Sequence, residues 1–308
     1  MTPRQPARAR FSRSARFSRS ARSPRPSRSF PALVGSTVTT AVRAATWIIA
    51  GFSIFVVLWI LLASLKTTDE IFSNPLSLPH TWRWGNFADA WQESNFGVAL
   101  VNTVGLVTAT ALGTVLFAAP AAYALARFKV RGTRAISLGF ALGLGVPAQM
   151  VVLPLYAAMN QAGLVDSFLG LWLIYVGTSL PFAVFFLTSF FASLPRELEE
   201  AASLDGASPL RTFRSIMFPL ARSGIVTLLI LNVVAHWSET TFALVFLQSS
   251  INDTLPLALI QFMQRLQYTG ADWGQLFAGI VIVLLPLLLI YIWLGRRIIE
   301  GLTLGAGK

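Results

Sequence analysis

Residues 197–208 read ELEEAASLDGAS, an acidic, alanine-rich stretch set between two long apolar runs, 168–194 and 224–247. Pro195 is placed for a first helical position, and Glu197, Glu199 and Glu200 complement the positive end of a helix dipole. Gly206 supplies a stop just past that helix, and Ser208 with Pro209 restarts a second one through an N-cap and a pre-set φ. In the second helix Leu210, Phe213 and Met217 share a face; Pro219 is expected to end it and to push Phe218 out of the helical region. The segment 195–219 thus reads as helix, glycine hinge, helix. Isolated helices this short are marginal in water, so the knob has to dock, on the ends of its own chain's helices or on another protein.

The flanks say what kind of chain carries it. Of 308 residues 55% are hydrophobic and 12% charged, with mean hydropathy +0.64, whereas an ordinary globular domain is roughly 25% charged. This is an integral membrane protein. Six stretches are apolar enough to cross a bilayer core, 46–65, 98–125, 135–157, 168–194, 224–247 and 275–294. Gly105, Ala109 and Gly113 fall four apart on one face, which suits close approach by another helix as well as a small-residue-rich composition alone. Pro120, Pro147, Pro154, Pro181 and Pro286 each remove a backbone donor. Breaks in lipid are tolerated where protein or a cavity satisfies the freed groups, so some of these helices are expected to line something.

Lys and Arg are distributed unevenly: 21 of the 24 lie in residues 1–45, 127–134, 193–223 and the tail from 295, all on one side of the six-span arrangement. By the positive-inside rule both termini, and ELEEAASLDGAS, face the cytoplasm. Residues 1–45 read as a disordered Arg-rich arm and 46–308 as the membrane domain. The unit ARFSRS occurs twice in succession, at 9–14 and 15–20, and residues 1–28 hold nine Arg and no acid. Such a segment cannot bury enough apolar surface to fold and suits an anchor beside anionic lipid. Its composition also fits organelle targeting. With few aromatics and no accompanying motif, nucleic acid is not an expected partner.

Covalent chemistry finds no candidates. The chain has no Cys and two His, His80 and His236, too few for a multi-ligand metal centre. The terminal GLTLGAGK has one residue too many between its glycines for a phosphate-binding loop, and nothing follows Lys308. Glu239 is the one acid within a predicted span, so no carboxylate pair exists there. No catalytic residue, metal or cofactor is expected, and the chain is not read as an enzyme.

Residues 200–219, EAASLDGASPLRTFRSIMFP, resemble the EAA signature of permease subunits of binding-protein-dependent ABC importers. Glu200, Ala201, Ala202, Gly206, Ile216 and Pro219 match its spacing, and Phe218 stands where Leu is usual. AAYALARF (121–128), LPLYAAMNQAGLVDSFLGLWLIY (153–175) and GLTLGAGK are similar to the MalG-like, maltose-type carbohydrate permeases, a likeness running from about residue 79 to the C-terminus. The resemblance implies an all-α polytopic protein of six transmembrane helices with the type I, MetI-like permease fold, in a bacterial or archaeal cytoplasmic membrane. It implies partners too: two ABC ATPase subunits that hydrolyse the ATP, a second permease subunit and an extracytoplasmic solute-binding protein delivering carbohydrate. The knob becomes the coupling element, with Glu199, Glu200, Ala201, Ala202, Asp205, Gly206, Ile216 and Pro219 as its residues.

Asn232, His236, Glu239 and Thr240 lie at i, i+4, i+7 and i+8 of the fifth span, one polar stripe beside Trp237. A membrane carboxylate costs roughly 2.5–3.5 kcal/mol on insertion scales, so it faces a partner or water. The stripe suits the lining of a translocation pathway; it also suits glue between helices. Trp237 suits a sugar ring or plain packing. Trp82, Trp84 and Trp91, with Asp69, Glu70, Asp89 and Glu93, fit a landing surface for the binding protein or an interfacial aromatic belt. A permease for glycerol phosphate or another non-sugar solute, or a self-contained secondary transporter, remains the alternative; the halves show none of the internal repeat common in the latter.

Overall fold

The computed structural model describes residues 31–128, 131–270 and 272–306, and the regular elements there are helical. The predicted arm lies partly outside this range: residues 1–30, with both copies of its repeat, are not among the described residues. A helix, α1, already runs Pro31–Ala63. Short helices α2 (Thr68–Ser73) and α3 (Gly85–Glu93) precede α4 (Phe96–Arg127), α5 (Thr133–Gly143), α6 (Val152–Gln161) and α7 (Phe168–Ser193). After them come α8 (Glu197–Leu204), α9 (Pro209–Thr212), α10 (Phe218–Leu220), α11 (Arg222–Trp237), α12 (Thr241–Phe246), α13 (Leu255–Thr269) and α14 (Trp273–Ala306). The chain divides into two compact units, one ending at Phe55 and one running from Val56; the second holds every helix after α1.

Among the described residues four stretches are long and apolar enough to span as single helices: Thr39–Ala63, Phe96–Arg127, Phe168–Ser193 and Trp273–Trp293. The other two predicted spans are bent. Between Leu144 and Ala148 the third turns by 98°, because Pro147 has no donor to continue a helix and sits extended, at φ −61 and ψ 128. The fifth is reached through a 73° bend between Leu220 and Arg222, and it stops at Trp237 where the sequence predicts a run to Leu247. The tail GLTLGA continues α14 as helix, while Gly307 and Lys308 lie outside the described residues.

Helices α4 and α7 form the spine, and glycines decide how closely their neighbours approach. A Cβ on Gly113 would meet the Trp172 ring at 2.8 Å, and one on Gly224 would meet Phe190 at 2.6 Å. Trp172 also donates its indole N–H to the Ala109 carbonyl at 3.0 Å. Two members of the predicted small-residue stripe therefore receive one tryptophan, whereas Gly105 has open space beside it. Among the described residues three buried apolar clusters lie around this spine, and the one built on Ala118, Ala122, Leu187, Phe191 and Leu228 reaches down to Met217 of the knob and to Ala221 just after it.

α4 alone is about 48 Å long, enough to separate two ends of the molecule. At the end where α4 begins, the loop after α6 is tied to the loop after α12 through Asp166. This residue adopts a left-handed backbone, φ 57. Its carboxylate accepts the Ser249 hydroxyl, the N–H groups of Gln248 (2.9 Å) and Ser249 (3.0 Å), and the Asn252 amide (3.1 Å). These donors, the Ser249 hydroxyl foremost, hold the Asp166 carboxyl well below the usual carboxylate range. Asn102 donates to the carbonyls of Ile251 (2.8 Å) and Asp253 (3.0 Å), fixing the same loop to α4.

Candidate functional site

At the other end α8 and α9 form the knob. α8 begins at Glu197, two residues later than predicted, with Arg196 as N-cap and Pro195 just before it rather than at the first helical position. Its end is a Schellman motif: the Ala207 N–H reaches the Ala202 carbonyl at 2.9 Å, and Gly206 N–H reaches Ser203 at 3.1 Å. Gly206 holds φ +75, a conformation that favours glycine, while Asp205 is the C-cap. Ser208 then caps α9 by accepting the Arg211 N–H at 3.3 Å.

Pro219 does not terminate the second helix, contrary to the sequence expectation, and Phe218 stays helical at φ −65 and ψ −46. The turn over Phe213–Met217 widens to a π-helix in which the Phe218 N–H bonds to the Phe213 carbonyl, five residues back. That widening displaces the carbonyl the proline ring would otherwise strike, and the helix bends only at Ala221.

The matched motif sorts by face. Ala202, Thr212 and Met217 are buried and Ile216 is half-buried, packed with Phe213 onto the apolar cluster of α4 and α7; Phe213 lies 5.1 Å from the Tyr123 ring and 6.2 Å from that of Phe191. Glu200, Ala201, Asp205, Gly206 and Pro219 are exposed, and with them stand two bare leucines, Leu204 at 90% and Leu210 at 58% exposure. Glu199 faces inward. Its carboxylate pairs with Arg127 at 3.5 Å, and the Arg127 side chain, 4% exposed, also donates to the Leu194 carbonyl at 2.7 Å. A strut thus ties the knob to the ends of both spine helices. Sequence reasoning missed Arg127 as its partner, because nothing local relates two residues 72 positions apart.

The second constellation surrounds a cavity of about 480 Å³ between the bent third span, α7, α11 and α12, lined among others by Ala148, Thr178, Ser179, Asn232, His236 and Glu239. The Pro147 break admits it, in accord with the expectation that an interrupted helix lines something. Of the predicted stripe, Asn232, His236 and Glu239 come together here; Thr240 and Trp237 do not line it. Trp237 is buried in the cluster with Phe96, Leu255 and Phe262 and donates to the Val283 carbonyl at 3.3 Å, which is a packing role. The predicted single helical stripe is also interrupted, since residues 238–240 leave the helix and Thr240 becomes the N-cap position of α12. Ser238-Glu239-Thr240-Thr241 is a cluster of cap-forming residues, and that was the available signal.

Glu239 is held in three directions. It accepts the Tyr175 hydroxyl at 2.5 Å and the N–H groups of Phe242 (2.9 Å) and Ala243 (3.4 Å), opposite the positive end of α12. The His236 ring stacks on Tyr175 with centroids 4.5 Å apart, and its Nε2 is 2.8 Å from Ser179 Oγ. Two polar atoms in this lining are buried with no hydrogen-bond partner, Asn232 Oδ1 and His236 Nδ1. Tyr175 and Ser179, four apart on α7, were not singled out from the sequence, although Tyr175, Thr178 and Ser179 are polar members of an otherwise apolar span. Among the described residues no group of three His, Cys, Asp or Glu is placed to hold a metal.

The family model described as binding-protein-dependent transport system inner membrane component matches residues 115–302, which include the knob and the cavity lining. The chain belongs to that family. It is a multi-pass membrane protein of the permease type. It is 37% identical over 248 residues to the diacetylchitobiose uptake system permease protein NgcG of Streptomyces coelicolor, covering 80% of this chain and 82% of that one. Over 272 residues it is 34% identical to the trehalose transport system permease protein SugB of Mycobacterium tuberculosis, covering 86% and 98%. A bacterial ABC transporter chain involved in import of the acidic polysaccharide alginate superposes with TM-score 0.73 at 20% identity, over 89% of this chain and 99% of that one. This last likeness concerns the fold, and it supports the MetI-like permease architecture expected from the sequence.

Proposed function

We propose that this permease is the membrane-spanning subunit of an ATP-driven importer for carbohydrate, working with ATPase subunits, a second permease subunit and an extracytoplasmic binding protein. The observation that carries the reading is the two-faced knob. Its inner face is clamped to α4 and α7 through Arg127, while its outer face presents Glu200, Ala201 and Leu204 to something outside this chain. A rigid element with a bare leucine, Leu204, on its outer face suits insertion into a cleft, and its attachment to both spine helices suits conversion of ATPase closure into helix rocking. The Arg-rich location of that end supports a cytoplasmic knob and cytoplasmic termini. The sugar-uptake relatives support carbohydrate as the cargo.

The cavity beside the Pro147 break is the candidate stretch of translocation path. Asn232 and His236 carry unpartnered polar atoms there, the complement a polyhydroxylated solute needs, and Tyr175 and the α12 N-terminus keep Glu239 oriented. Thr240 and Trp237 are left out of this role.

The chain has no cysteine, so Ala201→Cys is a unique label on the exposed face of α8. In the reconstituted transporter it should cross-link to a nucleotide-binding subunit, with a yield that changes between nucleotide-free and ATP-trapped states. No cross-link in either state would overturn the coupling role.

A further inference from the structure

Beside the knob lies a feature the transport reading does not use. Four arginines, Arg127, Arg131, Arg134 and Arg196, are among the residues lining one pocket of about 550 Å³ formed by the end of α4, the start of α5 and the residue capping α8. Glu199 offsets the charge of Arg127. That leaves Arg131, Arg134 and Arg196, all exposed, whose charge Glu199 does not offset.

This pocket does not stand alone. An apolar groove of about 470 Å³ between α4, α5 and α7 adjoins it and shares Leu125 and Arg134 with it. Leu138 and Phe185 stand exposed along the groove, and Ala141, also in its lining, occupies little of its space. Thr188, in the groove wall, has its hydroxyl oxygen buried with no hydrogen-bond partner. It sits six residues before Leu194, about 9 Å below the helix end. From the groove outward, the surface offers an apolar slot and then a cluster of cations at the end of the spanning helices. A diacyl phospholipid with an anionic headgroup has the same order: acyl chain, then phosphate.

We infer that the juxtaposed groove and arginine pocket form a binding site for an anionic phospholipid, with the phosphate among Arg131, Arg134 and Arg196 and an acyl chain along Leu138 and Phe185. Charge complementarity selects an anionic headgroup over a zwitterionic one, and the adjoining groove selects a lipid over a soluble anion. Because Arg127 borders the pocket and also holds Glu199 of the knob, the lipid sits against the strut.

The test uses the full chain purified with its transport partners and exchanged into nanodiscs of phosphatidylcholine alone or mixed with phosphatidylglycerol. Native mass spectrometry then counts the lipids retained. Phosphatidylglycerol should be retained in preference to phosphatidylcholine, and the triple variant Arg131→Gln, Arg134→Gln, Arg196→Gln should lower that preference roughly 100-fold. Ala141→Trp, which fills the groove and leaves the arginines in place, should reduce retention of both lipids. Excess inorganic phosphate should not displace the lipid. Equal retention of the two lipids by the unsubstituted chain overturns the site without reference to any variant. So does an unchanged preference in the triple variant, unchanged retention in Ala141→Trp, or displacement by inorganic phosphate alone, which would make it a site for free anions.

Discussion

Gly206 is the position at which the coupling role is most open to refutation. Its φ of +75 lies in the left-handed region, and a Cβ built there meets nothing within 4 Å. Space is therefore not the constraint; backbone conformation is. An alanine in that conformation costs roughly 1–2 kcal/mol, whereas asparagine tolerates it better. Gly206→Ala should thus shift the balance between the native hinge and alternatives by about 5–30-fold, with Gly206→Asn closer to the parent. Gly206→Pro is more severe, because a ring that locks φ near −65° removes the left-handed turn and also the N–H bond to Ser203, which turns α9 away from α8. The assay is solute-stimulated ATP hydrolysis of the reconstituted transporter, with membrane insertion of each variant measured alongside. Insertion should be equal throughout, since the knob lies outside the spans, and hydrolysis should rank Gly, Asn, Ala, Pro. Helix propensity alone would rank Ala first. That order, or coupled hydrolysis preserved in Gly206→Pro, would refute the hinge argument.

Glu199→Gln should loosen the knob by about 1–3 kcal/mol, since it leaves the Arg127 guanidinium, 4% exposed, without its carboxylate; faster tryptic cleavage after Arg196 or Arg211 is the measurement. Gly113→Ala should destabilise the detergent-solubilised chain by roughly 1–3 kcal/mol through its 2.8 Å clash with Trp172, while Gly105→Ala, with open space around it, should be neutral or slightly stabilising in the same thermal melt. Asp253, in the loop between α12 and α13, is pushed up to about 6 mainly by burial, so the folded chain binds its proton more tightly than the unfolded one. Its contribution to stability is present below the unfolded value near 3.8 and is lost as pH rises through about 6; melts from pH 7 to pH 4 should show a gain that Asp253→Asn abolishes. Asp166 works in the opposite sense, its contribution being held at neutral pH and lost only in strong acid, and Asp166→Asn should lower the melt at pH 7 while removing that acid loss.

Features that depend on neighbours along the chain were legible in the sequence. The apolar runs required membrane helices, Ser208–Pro209 and Gly206 required a cap and a left-handed stop, and the spacing from Glu200 to Pro219 carried the family; the cap and the stop reappear where local reasoning put them, and the family model covers the motif. Local reasoning also explains its own misses. The helix-breaking effect of Pro219 presupposes an α-helical turn before it, and the π turn at Phe213–Met217, where Phe213 packs against Tyr123 and Phe191 of other helices, removes that condition.

Packing settled the rest, for one physical reason: a polar side chain in an apolar environment takes its meaning from the partner it finds, and partners are remote in sequence. Glu239 reads as a lone membrane acid until Tyr175, 64 positions away, donates to it. Trp237 reads equally as a sugar platform or as packing until Phe96, Leu255 and Phe262 enclose it. The motif Glu199–Ala202 reads as one coupling surface until Arg127 draws Glu199 inward and the spine buries Ala202, so that Glu200 and Ala201 alone of the four face out. Helical periodicity shows which residues share a face; only the packing of α4 against α7 shows which face is inside.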